Sequence, residues 1–142
     1  MKTFNYSIPI DIRYGDLDPQ WHVNNSRFLT FLEHARLSYL IHLGLFDGEN
    51  FFDFNLIVAD IHIAYLAPIQ LTQKVAVYMR CDRIGNKSLT FVYEIRDEDT
   101  QQVLSTAETI MVTYDYHQQK SIVVPDAWRK AIGELEGVEF SR

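Results

Sequence analysis

An α+β fold, with a curved antiparallel sheet wrapped around one long helix, is predicted by three observations. Apolar residues alternate with period two near the amino end and again in four later runs. One intervening run keeps helical spacing for about five turns. That run is apolar on more than one side, so a sheet has to cover it. The 142 residues are expected to form a single domain over 1–142, a length that buries a sufficient core without staples.

The first element is a strand, because Phe4, Tyr6, Ile8, Ile10 and Ile12 recur every second residue and Pro9 is tolerable only at a sheet edge. From Ser26 to Leu43 the period changes to a helical one, with Phe28, Phe31, Leu32, Ala35, Tyr39 and Leu43 on the spacing and Gly44 as the stop. Asn24 and Asn25 are the candidate N-caps, since a short carboxamide accepts from the orphan amides of a first turn. The segment from Phe46 to Asn55 mixes aromatics with turn formers and is expected to be a loop across apolar surface.

Strands follow over Leu56–Leu66, Thr72–Ile84, Ser88–Arg96 and Val103–Tyr114. Gly85-Asn86 and Asp97-Glu98-Asp99 supply turn chemistry between them, so the four are expected to form consecutive antiparallel hairpins. A short strand near Ser121–Val124 and a brief helix from Pro125 to Ala131 complete the chain.

Composition narrows the partners. With 47% hydrophobic and 23% charged residues the chain reads as an ordinary globular protein. A net charge of -6 argues against a general affinity for nucleic acid or anionic membranes, which depends on accumulated Lys and Arg. Cys81 stands alone, so no internal disulfide and no cysteine-rich zinc site is possible, which suits a reducing compartment. MKTFNYSIPIDIRYGD lacks the apolar core of a signal peptide and no stretch approaches a membrane span, so a cytoplasmic location is expected.

The chemistry concentrates in RYGDLDPQWHVNNSRF, where two aspartates, a tryptophan, a histidine and two asparagines crowd directly before the long helix. As plain residues, Asp16 and Asp18 beside Gly and Pro are turn formers. Asp16, Asp18 and His22 are all metal-ligand types, but their spacing is not diagnostic, and no metal or other cofactor is expected. Trp21 and the Phe51, Phe52 and Phe54 group suit either an acyl pocket or ordinary core and interface packing.

The pattern Gly15-Asp16-Leu17-Asp18-Pro19, then His22-Val23-Asn24-Asn25, Phe28, and Glu33 with Ala35-Arg36, resembles the hotdog-fold thioesterases. GDLDP resembles the 4-hydroxybenzoyl-CoA thioesterase branch and DLDxxxHVNN the acyl-carrier-protein thioesterases of plants, while HIAYLAPIQLTQKVAV resembles the strand that follows the long helix. The resemblance implies a hotdog fold, a homodimer or homotetramer with its active site between subunits, and hydrolysis of an acyl-CoA to a free acid and coenzyme A.

It also implies roles. Asp18 would be the nucleophile or general base, the backbone amide of Asn25 the oxyanion donor, and His22 a supporting group that polarises water or orients the substrate. The plant branch carries an asparagine where this chain has Gln20, and its further acidic and cysteine positions correspond to Pro68 and Ile69, so Asp18 takes the main role. Trp21 would border the substrate, and Arg83, Lys87 and Ser88 in RCDRIGNKSL would hold coenzyme A phosphates. The competing readings are a carrier-protein thioesterase, a hotdog hydratase or dehydratase pairing Asp18 with His22, and a non-catalytic acyl-thioester-binding protein.

Overall fold

The computed structural model describes residues 3–141. Strand β1 (Tyr6–Ile10) leads through a single 3-10 turn at Tyr14–Asp16 to helix α1 (Asn25–His42). Then come β2 (Leu56–Tyr65), β3 (Val75–Ile84), β4 (Ser88–Asp97), β5 (Val103–Asp115), the short β6 (Lys120–Ser121) and helix α2 (Asp126–Glu136). The sheet order is β1-β3-β4-β5-β2, with every pairing antiparallel and β6 added to β5.

The long helix forms where its apolar spacing places it. Asn24 caps it, its side-chain oxygen accepting the Ser26 amide at 2.9 Å, and Gly44 at φ +74 turns the chain away in a conformation that costs glycine little. Phe28, Phe31, Leu32, Ala35, Tyr39 and Leu40 are buried against Val77, Met79, Leu89, Phe91, Tyr93 and Ile95 of the sheet. Bulges between Val58 and Asp60, Cys81 and Arg83, and Ile95 and Arg96 bend the strands, the local device by which a sheet curves. Pro9 lies on β1, an edge strand, where its missing donor is harmless.

The expected run of four hairpins holds for β3, β4 and β5 and fails for β2, which crosses to the far edge and pairs with β5. The reason lies in the connection: residues 66–74 run along the end of the sheet, with Ile69 fully buried and its carbonyl accepting Val23 N–H at 2.8 Å. Committed to the start of α1 in this way, the segment cannot close a tight turn onto β3.

Several boundaries also differ from expectation. β1 stops at Ile10 rather than Ile12, β3 starts at Val75 rather than Thr72, β6 covers Lys120–Ser121 rather than Ser121–Val124, and α2 runs on past Ala131 to Glu136, where Gly137 at φ +70 ends it. The extension follows from packing. Trp128 and Ile132 are buried one turn apart, and the next position on that face, Glu136, reaches Tyr39 and Cys81.

Candidate active site before helix α1

Between Leu17 and Val23, which pair as an isolated bridge, the chain doubles back on itself. Asp18 N–H donates to the His22 carbonyl at 2.9 Å and Trp21 N–H to the Asp18 carbonyl at 3.0 Å, with Trp21 held at φ +67. The Asp18 carboxylate supports this turn through one oxygen only: Oδ1 accepts the amides of Gln20 at 2.9 Å and His22 at 3.4 Å. Its second oxygen has no protein partner among the described residues. Asp18 is therefore a turn former, as short acidic residues beside proline are, with one oxygen left for other work.

Asp16 is committed more fully. Its Oδ2 accepts Arg13 N–H at 2.9 Å, its Oδ1 lies 3.6 Å from Arg27 Nε, and its carbonyl accepts Asn24 N–H at 2.8 Å. It ties the loop to the first turn of the helix.

Asn25 is the first helical residue, and its backbone amide is one of the donors that a helix start leaves without an intrahelical acceptor. No protein group among the described residues takes it. The Asn25 carbonyl, by contrast, accepts the Tyr65 hydroxyl at 3.2 Å. Asp18, His22, Asn25 and Tyr65 line one open cleft of about 330 Å³, floored by Val23 and Phe28. The helix dipole adds a partial positive charge at the same place, so the cleft joins a carboxylate to a donor suited to developing negative charge.

The remaining candidates divide. His22 is half-buried, its backbone bridged to Gln70, and its imidazole makes no hydrogen bond to Asp18. Trp21 is 70% exposed, which rules out a core role, and lines a hollow of about 380 Å³ on the other side of Asp18 with Tyr14 and Pro19. Arg83, Lys87 and Ser88 are not brought to the cleft within one protomer. They sit at the β3–β4 turn, whereas the loop abuts the opposite end of β3, and a ten-residue strand is about 33 Å long. That turn is anchored elsewhere: Arg129 donates to the Gly85 carbonyl and Val124 N–H to the Asn86 carbonyl at 2.9 Å.

Sequence reasoning missed Tyr65, because a strand residue forty positions from Asn25 carries no local sign of the contact. Among the described residues no three His, Cys, Asp or Glu side chains converge in a metal-binding group. No described helix is long and apolar enough to cross a membrane.

Comparison with known proteins places these features in a family. The family model of the thioesterase-like superfamily matches residues 12–132. The chain is 28% identical over 126 residues to the long-chain acyl-CoA thioesterase FadM of Escherichia coli, covering 89% of this chain and 96% of that protein. It is 26% identical over 138 residues to the 1,4-dihydroxy-2-naphthoyl-CoA hydrolase of Synechocystis, covering 96% of this chain and 99% of that one. The crystal structure of a Thermus thermophilus thioesterase complexed with coenzyme A and zinc superposes with a TM-score of 0.83 at 29% identity, covering 96% of this chain and 98% of that chain.

Proposed function

This chain belongs to the thioesterase-like superfamily, and from that premise we propose that it hydrolyses acyl-CoA thioesters to a carboxylic acid and free coenzyme A, with Asp18 as the reacting carboxylate. The observation that carries the reading is the shared cleft. An uncommitted oxygen of Asp18 and the unpaired amide of Asn25 border the same space, so one thioester carbonyl can meet both. The amide and the helix dipole stabilise the oxyanion as the carbonyl becomes tetrahedral. His22 polarises water or orients the substrate, and Trp21 borders the acyl-CoA from the second hollow.

Asp18 acts by one of two balanced routes. As nucleophile its free oxygen attacks the carbonyl, the C–S bond breaks, coenzyme A leaves as the thiolate, and water then cleaves the mixed anhydride. As general base it takes a proton from water, whose oxygen attacks instead. After a single turnover in heavy-oxygen water, label in the peptide containing Asp18 establishes the anhydride route, whereas label in the acid alone fits either the general-base route or attack on the acyl carbonyl of the anhydride, which trapping of an acyl-enzyme with hydroxylamine then separates.

We further propose a homodimer paired along β2. This edge strand leaves Ile57, Val58, Tyr65 and neighbouring Leu66 exposed, an apolar edge of the kind that pairs with another chain, and Tyr65 and Leu66 rim the cleft. Val58→Lys is expected to yield a monomer by light scattering; an unchanged oligomer moves the interface elsewhere. A phosphate-binding role for Arg83, Lys87 and Ser88 requires that such pairing carry one protomer's turn to the other's loop.

The test is thiol release from short, medium, long-chain and aromatic acyl-CoAs, with the unmodified protein beside Asp18→Asn. Turnover that collapses in the variant supports the reading. No release from any substrate overturns it and directs attention to carrier-protein thioesters and to a binding protein.

A further inference from the structure

The loop before α1 carries an indole at two costs that nothing within the protomer recovers. Trp21 sits at φ +67, a left-handed backbone that glycine enters freely and a bulky side chain only under strain. The turn imposes this conformation, because Trp21 N–H closes onto the Asp18 carbonyl while Asp18 N–H closes onto the His22 carbonyl. Glycine would serve that turn with less strain. The indole is also exposed, and among the described residues it has neither a hydrogen bond nor a ring partner. Strain kept beside a carboxylate with an uncommitted oxygen points to a role in binding rather than in folding.

A second exposed ring shares the hollow. Tyr14 is 77% exposed and faces the same space of about 380 Å³, with Leu17, Pro19 and Asp18 completing its walls. This hollow and the Asn25 cleft have only Asp18 in common, so a thioester whose carbonyl meets Asp18 sends one substituent to each side. The nucleotide of coenzyme A is separated from the sulfur by the whole pantetheine arm and cannot occupy a space that borders the reacting carbonyl. The arm itself carries two amides, for which the cleft offers the side chains of His22 and Asn25. The hollow offers rings and aliphatic carbon, which suit the acyl group. None of its walls lies on β2, so pairing along that edge meets the cleft rim and not the hollow.

We infer that Tyr14 and Trp21 are specificity-determining residues, which receive the acyl group on the far side of Asp18 from Asn25 and select apolar acyl groups over acetyl. The inference rests on the thioesterase reading and adds to it a direction for the substrate: acyl group to the hollow, pantetheine arm through the cleft.

The test compares kcat/KM for hexanoyl-CoA and acetyl-CoA in the full-length protein. The unmodified chain is expected to favour hexanoyl by roughly tenfold or more, and Trp21→Gly and Tyr14→Ala each to cut that ratio by roughly fivefold or more. Trp21→Gly is expected to melt no lower than the unmodified protein, since it relieves the strained backbone, a result that a structural role for the indole would reverse. A ratio unchanged in both variants, or an equal loss on both substrates, overturns the inference. So does a lowered melting temperature in Trp21→Gly, or an oligomer that dissociates there, which would give the indole to the fold or to a subunit contact.

A measurement without turnover separates this inference from the reading beneath it. Of the two tryptophans Trp128 is buried, so iodide quenching of fluorescence reports Trp21. The ketone analogue of hexanoyl-CoA, with a methylene between carbonyl and sulfur, cannot be hydrolysed and is expected to shield Trp21 from iodide; the same analogue of acetyl-CoA is expected to shield it less. Shielding in a protein that hydrolyses no thioester would sink the thioesterase reading and leave the hollow assigned. Turnover without shielding would do the reverse.

Discussion

At the amino end of α1, a first-turn amide and one oxygen of Asp18 face an open cleft. About four turns further along the same helix, Tyr39 is fully buried, and its hydroxyl donates to Glu136 Oε2 at 2.6 Å while Cys81 N–H donates to the same oxygen at 2.8 Å. Polar groups occur at both ends, yet they are spent differently. At the far end each donor is matched by an acceptor supplied from another element, so α2, α1 and β3 are locked together. At the near end the chain satisfies its own turn through Asp18 Oδ1 and leaves a carboxylate oxygen and an amide uncommitted. Unspent hydrogen-bonding capacity is what suits this end of the helix to the reaction proposed for it, and the sealed end provides the rigidity that holds it in place.

The sharpest way to break this contrast is Asp18→Asn. The amide keeps an oxygen for the Gln20 and His22 N–H groups, so the loop should persist and stability should change by about 0.5 kcal/mol or less. Thioester turnover, however, should fall by roughly a hundred-fold or more, because neither attack nor proton abstraction survives. A large drop in melting temperature with a proportionate drop in activity would make Asp18 a fold residue like Glu136.

Glu136→Ala is the converse. It strands the buried Tyr39 hydroxyl and the Cys81 amide together, and each orphan costs about 1–3 kcal/mol, so a loss of roughly 2–4 kcal/mol is expected in denaturant unfolding. The surviving folded protein should retain its kcat and KM at low temperature. Asn24→Ala lies between the two, since it removes the acceptor of Ser26 N–H and should cost about 1 kcal/mol. At the open end a frayed first turn also displaces the Asn25 amide, so kcat is expected to fall as well; a pure stability loss would separate the cap from the site.

What could be read in advance follows the same division. Asn24, Gly44, the strand alternation and the Asp18–Asn25 cluster are features of neighbouring residues, and local chemistry specifies them. The pairing of β2 with β5 is not of that kind. Alternation tells which face of a strand is buried, not which strand lies beside it, and residues 66–74 were diverted by the contact of Ile69 with Val23. Tyr65 and Glu136 matter through partners 40 and 97 positions away, and no short-range pattern reports them.

The sealed end has a pH signature, the smallest effect expected here. Burial pushes the Cys81 thiol up from its ordinary 9.0 to about 12, opposed by its bond to the Arg83 carbonyl and assisted by Glu136. Burial likewise raises the Tyr39 hydroxyl above its ordinary 10.0, with the hydrogen bond to Glu136 and that residue's charge adding to the shift. Both groups are acids that hold their protons more tightly in the folded chain than in the unfolded one. Their contribution to stability is therefore complete below the ordinary values and declines as pH climbs towards the folded ones. The free energy of unfolding in urea should be level on this account from pH 7 to 8, lower by about 0.4 kcal/mol from Cys81 alone at pH 9, and falling more steeply beyond, with Tyr39→Phe reducing the slope. The same burial should slow alkylation of Cys81 in the folded protein at pH 8 by at least roughly a hundred-fold relative to the urea-unfolded chain, because both access and thiolate are scarce. Labelling at comparable rates in the two states would show that the far end of α1 opens readily, and with that the division between a sealed end and an open one would fail.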